Sequence, residues 1–445
     1  MYLPQADNNF NICALFTMAV GAFLEPFVVV SLLFGGAWFN RNKDYDFWKG
    51  TQGWAGGSTS HKRRDDFGKR RTSTDSGSPT WSSGSSSPTL SSEDESPWSL
   101  TSRRRNIRFF GFKKTVTTPN TLVFKDRLLS RVLQKFPFLV EAWYWALIYW
   151  VYQLGRAFTA VTIVEGTVHV ARKHALKLVH LEQRLGIFWE VAFQQWFLER
   201  PVLLHWINRV YSFIHIPGTI FFLVALFYLT TSQKRRGTSG RARHDIISAG
   251  PALYEARRRT MAMCNLIAFV VFTLWPCMPP RLLSDPNYNG PDAAEAKSFG
   301  FVDSVHSNAG ESSVWTTNRF CNQYAAMPSL HFGYSLLVGL TVATLPVNGV
   351  RPNSWKRVAI GVLGLSYPAL IFTAIVATAN HFILDAVAGA MVCGIAWNAN
   401  GLLLNLCVLE DYFLWVVRIH KPVNYTDPET AVEPEYHSML LSEDV

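Results

Sequence analysis

Several stretches of about twenty residues in this chain are almost free of charge, and they restrict its fold more than any other feature. A hydrocarbon core about 30 Å thick takes roughly 20 apolar residues per helix, and the backbone inside lipid must satisfy its own polar groups. Such stretches run at roughly 12–39, 136–164, 210–231, 261–278, 328–345, 358–379 and 382–408. The second opens with Phe136, Phe138, Trp143, Tyr144 and Trp145, as a membrane–water interface favours. The expected architecture is all-α, a polytopic transmembrane helix bundle of about seven spans. Composition agrees: 49% of the 445 residues are hydrophobic and only 17% are charged, against about 25% charged in an ordinary soluble domain.

The net charge of +10 is carried by clusters beside the apolar stretches: Lys62-Arg63-Arg64, Arg103-Arg104-Arg105, Lys234-Arg235-Arg236 and Arg257-Arg258-Arg259. That is the positive-inside pattern, so membrane lipids, and not nucleic acid, are the expected partners. It puts the loops at about 40–135, 231–260 and 347–357 in the cytosol, the N-terminus outside or in a lumen, and the C-terminus in the cytosol. The mixed stretch 165–208 has apolar residues at helical spacing between Arg172, Lys173, Lys177 and Arg184, and is expected as amphipathic helices on the membrane surface. The first apolar stretch is too long, and lacks the basic start, of a cleavable signal. It carries Glu25, expected to be protonated or paired with a neighbouring helix.

Four segments follow. Residues 1–49 hold an N-terminal span. Residues 50–135 are expected as a disordered, Ser-rich, basic cytosolic loop, in which Ser78, Ser87 and Ser96 each precede a proline. Residues 136–408 form the main transmembrane domain, and 409–445 a cytosolic tail whose sequon at Asn424 stays unmodified. Cys277 and Cys321 flank the same non-cytosolic loop. A disulfide between them and two free thiols stand as equal readings.

Topology brings three pieces to the lumenal face: Pro279-Pro280-Arg281, Met327-Pro328-Ser329-Leu330-His331 and Asn380-His381-Phe382-Ile383-Leu384-Asp385. His381 and Asp385 are four residues apart and share a helix face. A carboxylate there accepts the proton of one imidazole nitrogen and leaves the other as a nucleophile. His331, from another helix, is placed to protonate a leaving oxygen and then to activate an incoming alcohol or water. Pro328 suits a first helical turn and Ser329 a helix N-terminus, where anions bind. Arg281 offers a bidentate fork to phosphate. The pattern points to phosphoryl transfer. His205, His215 and His306 are expected to be structural hydrogen-bonders.

These residues resemble the type 2 phosphatidic acid phosphatase superfamily over about residues 165 to 408. Pro328-Ser329-Leu330-His331 is similar to its second motif, and His381 to Asp385 to the end of its third. The longer string from Asn322 to His331 looks like the branch of fungal inositolphosphotransferases, such as inositol phosphorylceramide synthase. The resemblance implies a six-helix catalytic core, a phosphohistidine on His381, Asp385 as its orienting carboxylate, His331 as acid and base, and no metal or other cofactor. It departs at two cation positions, where Leu274 and Ala374-Ile375 stand. Arg281 is then the leading phosphate contact, with Ser329 beside it and Arg319 as a second cation.

The implied activity is a metal-independent membrane enzyme acting on a lipid phosphoester. It is read as an inositolphosphotransferase-like enzyme of sphingolipid metabolism, or alternatively as a phosphatase of phosphatidic acid or polyprenyl phosphate. A non-catalytic lipid-binding protein is a further alternative, and two histidines with an aspartate also have the ligand count of a metal site. The expected location is an endomembrane, Golgi or endoplasmic reticulum in preference to the plasma membrane, with the site lumenal. Oligomeric state is not legible.

Overall fold

A computed structural model describes residues 26–47, 102–109, 111–162, 166–211, 215–233, 246–286, 288–304 and 324–422. Glu25, the Ser-Pro sites, His306, Arg319, Cys321 and Asn424 lie outside these residues. The described chain is predominantly helical. In order it comprises α1 (Pro26–Phe39), the hairpin β1 (Ser102–Phe109) and β2 (Phe112–Pro119), α2 (Leu128–Lys135), α3 (Phe138–Thr162), α4 (Gly166–Leu185), α5 (Glu190–Leu198) and α6 (Pro201–Arg209). There follow α7 (His215–Phe227), which continues as a π turn to Ser232, α8 (Pro251–Leu274), α9 (Ala293–Ser298), α10 (Leu330–Thr344), α11 (Trp355–Ala377), α12 (Ile383–Ala399) and α13 (Cys407–Val416).

Of the first expected span only residues 26–39 are among those described, and they are helical; the other six expected spans each overlap a helix. Among the described residues three helical stretches are long and apolar enough to cross a membrane: His215–Ser232, Trp355–Ala377 and Ile383–Val416. α1 and α10 are apolar but shorter. α3 and α8 carry charge, and the structure pairs it. Arg258 of α8 donates to Glu141 of α3 at 2.7 Å. Lys421 lies 2.5 Å from Glu410, which also accepts from the hydroxyl of Tyr144. Ionisable groups at membrane depth persist when paired in this way.

The central packing unit is α10 lying along α11 and α12, with α8 against α12. Phe138, Phe227, Tyr254, Met261, Leu337 and Val392 fill the core between α3, α7, α8, α10 and α12. Small residues let backbones touch. A Cβ on Gly389 of α12 would stand 2.3 Å from the Ser329 carbonyl oxygen, and one on Gly339 of α10 would stand 2.7 Å from that of Gly364 on α11. Outward, α11 exposes Trp355, Val358, Val362 and Leu363, and α12 exposes Val387, Met391 and Ile395. An apolar exterior over a hydrogen-bonded helical interior is what a lipid solvent selects.

The stretch expected to lie on the membrane surface forms three consecutive helices, α4, α5 and α6, separated by short turns. α4 buries Ala171, Ala175, Leu176 and Val179 against Cys277, Met278, Leu283 and Phe382, so it roofs the segments that meet at the site. Cys277 is fully buried and carries a free thiol.

One expectation is corrected. Residues 102–135, assigned to a disordered loop, hold the hairpin and α2. Local composition is poor for burial, but Arg105 donates to Asp411 of α13 through Nε at 2.7 Å and Nη2 at 2.9 Å, and Thr118 donates to the same carboxylate at 2.8 Å. A buried bidentate pair anchors the hairpin to the end of the bundle.

Candidate active site

Three chain segments are knitted together by backbone hydrogen bonds at one end of the central unit. Cys277 N–H donates to Tyr324 O at 2.7 Å and Ala326 N–H donates to Cys277 O at 3.1 Å, joining the segment after α8 to the one before α10. Arg281 N–H donates to Ala379 O at 2.9 Å, and Ser329 N–H to Asp385 O at 2.9 Å. The pieces containing Arg281, His331 and His381 therefore meet.

His381 is delivered by a tight reversal between α11 and α12. Ala379 takes a positive φ of 50°, the left-handed conformation that ends many helices. The amides of Asn380 and His381 then both donate to Ile375 O, at 3.0 and 3.3 Å. The ring of His381 is nearly buried. Its Nδ1 lies 2.8 Å from Ala326 O and 3.5 Å from Asp385 Oδ2. A carbonyl oxygen only accepts, so the proton sits on Nδ1 and Nε2 is the basic nitrogen. Asp385, fully buried, accepts at 2.9 Å from Phe382 N–H, reaching back to close the first turn of its own helix.

His331, in the first turn of α10, faces His381 with ring centroids 5.7 Å apart. Tyr211 stacks on His331 at 4.7 Å, and His215 lies 4.9 Å away. His215 Nδ1 is hydrogen-bonded to the Tyr367 hydroxyl at 3.1 Å. His215 is thus a hydrogen-bonder as expected, but it also belongs to the wall around His331.

Ser329 is the N-cap of α10, and its hydroxyl accepts from Phe332 N–H at 3.3 Å. Pro328 precedes the helix instead of opening its first turn. Arg281 donates through Nε to Asn380 Oδ1 at 3.0 Å and through Nη1 to Asp303 at 2.8 Å. It stands next to His381, with part of its fork held by a carboxylate. Arg319 lies outside the described residues. At the departures from the family pattern, Leu274 is exposed, while Ala374 and Ile375 are fully buried in the apolar cluster between α5, α6, α11 and α12.

Two carboxyls went unnoticed in the sequence. Glu182 of α4 accepts from Leu384 N–H at 2.8 Å and Glu190 of α5 from Ile383 N–H at 3.2 Å. Their ranges of 202 and 193 residues along the chain leave no local signal.

A nucleophile-competent imidazole facing a second imidazole, with a guanidinium alongside, is a constellation for attack on phosphorus. A family model described as the PAP2 superfamily matches residues 176–238 and 246–399. The match indicates the PAP2 superfamily. No curated protein and no solved structure matches the chain. The PAP2 stretch contains Glu182, Glu190, His215, Arg281, His331, His381 and Asp385, while α1 and the β hairpin lie before it. PAP2 character supports phosphatase- or phosphotransferase-type activity on phosphate esters in a membrane setting.

Proposed function

We propose that the protein moves a phospho-group from a membrane lipid through a covalent phosphohistidine on His381. Nε2 attacks phosphorus, the bond to the leaving alcohol breaks, and His331 gives that oxygen its proton. An acceptor alcohol or water then attacks the phosphohistidine while His331 takes the acceptor's proton. The Ala326 carbonyl and Asp385 hold Nδ1–H through both steps, and Arg281 with Ser329 faces the equatorial phosphate oxygens, Arg319 being the further cation that the sequence offers for them.

The observation that supports this reading is the approach of the His331 and His381 rings to 5.7 Å, with Nδ1 of His381 tied back to a carbonyl. The likeness of the string from Asn322 to His331 to inositolphosphotransferases favours an inositol-phosphate donor and a sphingolipid-type acceptor, in an endomembrane with the site facing the lumen. The hydrolytic alternative uses the same side chains on phosphatidic acid or a polyprenyl phosphate. Purified protein offered labelled phosphatidylinositol with ceramide, and separately labelled phosphatidic acid, separates the two. Turnover of neither by wild type, under conditions where the protein is folded, defeats the enzyme reading. His381→Ala is the paired control.

A second reading, a non-catalytic lipid-binding protein, is favoured by one observation: Arg281 is paired with Asp303 while Ile375 is buried where the family pattern has arginine. Lipid binding without turnover, equal in wild type and His381→Ala, is its signature.

A further inference from the structure

We propose that Glu182 and Glu190 form a proton-sharing carboxyl pair that seats the first turn of α12, making both of them positioning residues for His381 and Asp385. The role in catalysis rests on the function proposed above; the pair itself does not.

Three successive amides open α12, and each donates to a different carboxyl group: Phe382 N–H to Asp385, Ile383 N–H to Glu190 and Leu384 N–H to Glu182. The side chains come from three helices. All three carboxyl groups are essentially without solvent exposure, at 0% for Asp385, 0% for Glu182 and 1% for Glu190. In each, the second oxygen (Asp385 Oδ1, Glu182 Oε2 and Glu190 Oε2) is buried with no hydrogen-bond donor. An acceptor left so is costly, and three full negative charges around one helix end repel one another. The helix N-terminus supplies only about half a positive charge. The Glu182 and Glu190 side chains lie within hydrogen-bonding reach of each other, so one proton shared by the pair removes a charge and supplies the donor their unpartnered oxygens lack.

Glu182 is the better seat for that proton. Burial, reinforced by Glu190, pushes its carboxyl up to about 10, against the pull of the Leu384 amide. The groups facing it are Glu190 from α5, Asp385 from α12 and the Cys277 thiol from the segment after α8. With Glu182 neutral, one source of repulsion on the carboxyl groups around this helix end is removed. The arrangement also fills the N-terminus of α12 with the protein's own acceptors, so this helix end is not available to the substrate phosphate.

A proton held in the folded protein but released near pH 4.3 in the unfolded chain makes the fold cost more with each pH unit between about 4.3 and about 10. Glu182→Gln keeps the oxygen that accepts from Leu384 and supplies a fixed donor without that cost. Thermal melts of full-length wild type and Glu182→Gln in detergent, from pH 5 to pH 9, are expected to diverge. The variant's Tm rises relative to wild type, from little difference at pH 5 to several degrees higher at pH 9. A gap that stays flat, or a variant that melts lower throughout, overturns the proposal.

Activity supplies the second arm. Glu182→Gln is expected to keep kcat within about threefold of wild type, and Glu182→Leu, which cannot accept from Leu384, to lose roughly 100-fold in kcat with little change in KM. If Glu182→Leu does not fold, the Gln variant alone decides. A Gln variant as dead as His381→Ala overturns the positioning role. Wild type that turns over no lipid phosphoester defeats the proposed function instead, and the melts still judge the pair.

Discussion

The carbonyl oxygen of Ala326 approaches Nδ1 of His381 to 2.8 Å, closer than the Asp385 carboxylate at 3.5 Å. The tautomer of His381 is therefore set first by a main-chain acceptor 55 residues away in sequence, and Asp385 is a second, longer contact that also closes the helix turn. Asp385→Asn keeps an oxygen for Phe382 N–H and leaves the Ala326 contact in place. Its kcat is expected to fall about 10- to 100-fold, short of the roughly 10⁴-fold typical when a lost carboxylate lets the imidazole take the wrong tautomer. His381→Ala is expected to show no turnover. Steady-state rates of the two variants on one lipid substrate make the comparison. Equal, complete loss in both would assign the orienting role to the carboxylate alone.

Arg281 divides its guanidinium between Asn380 and Asp303. Arg281→Ala is expected to cut kcat/KM by about 100-fold or more, through loss of charge stabilisation at phosphorus. Arg281→Lys recovers only part of this, because an ammonium lacks the fork. Asp303→Asn leaves more of the arginine's charge for substrate and is expected to lower KM. A KM unchanged in Asp303→Asn would indicate that the Asp303 carboxylate does not compete with phosphate.

Gly389 has no room for a side chain, since its Cβ would meet the Ser329 carbonyl at 2.3 Å. Gly389→Ala must push α10 and α12 apart, at an expected loss of about 1–3 kcal/mol. It should also lower kcat, because His331 sits in the first turn of α10. Thermal unfolding in detergent and the rate on a lipid substrate check both parts. Gly394→Ala, on the same helix with nothing within 4 Å of its Cβ, is the control expected to change neither.

Arg105→Ala leaves Asp411 buried without its bidentate partner. Breaking such a pair costs about 3–5 kcal/mol locally, so the hairpin should become open to proteolysis between 102 and 119. The 17-residue α12, about 25 Å long at 1.5 Å per residue, separates this anchor from His381. kcat is expected to stay within about twofold of wild type. A large fall in kcat without loss of folded protein would link the hairpin to the site.

The sequence was most informative where chemistry is local. The four-residue step from His381 to Asp385, the capping serine before His331 and the apolar runs each announce themselves within a turn or two of helix. α3 and α8 read as spans from their apolar runs, but the pairing of Arg258 with Glu141, 117 residues earlier, has no local signal. The same distance hid the Ala326 carbonyl, which has no side-chain signature at all, and the buried Glu182 and Glu190, which read as ordinary charges on amphipathic helices. The hairpin was missed for a related reason: its stability comes from Asp411, 306 residues beyond Arg105, and nothing in the basic stretch itself indicates that partner.

The contact of Gly389 with the Ser329 backbone has a bearing on how substrate choice can drift. His331 sits in the first turn of α10 and His381 just before α12, and these two helices are clasped main chain to main chain, so the spacing of the imidazoles is set by backbone and not by the side chains around them. On the proposed function, substitutions around the site can therefore favour other headgroups or tails and still leave the imidazole pair in register.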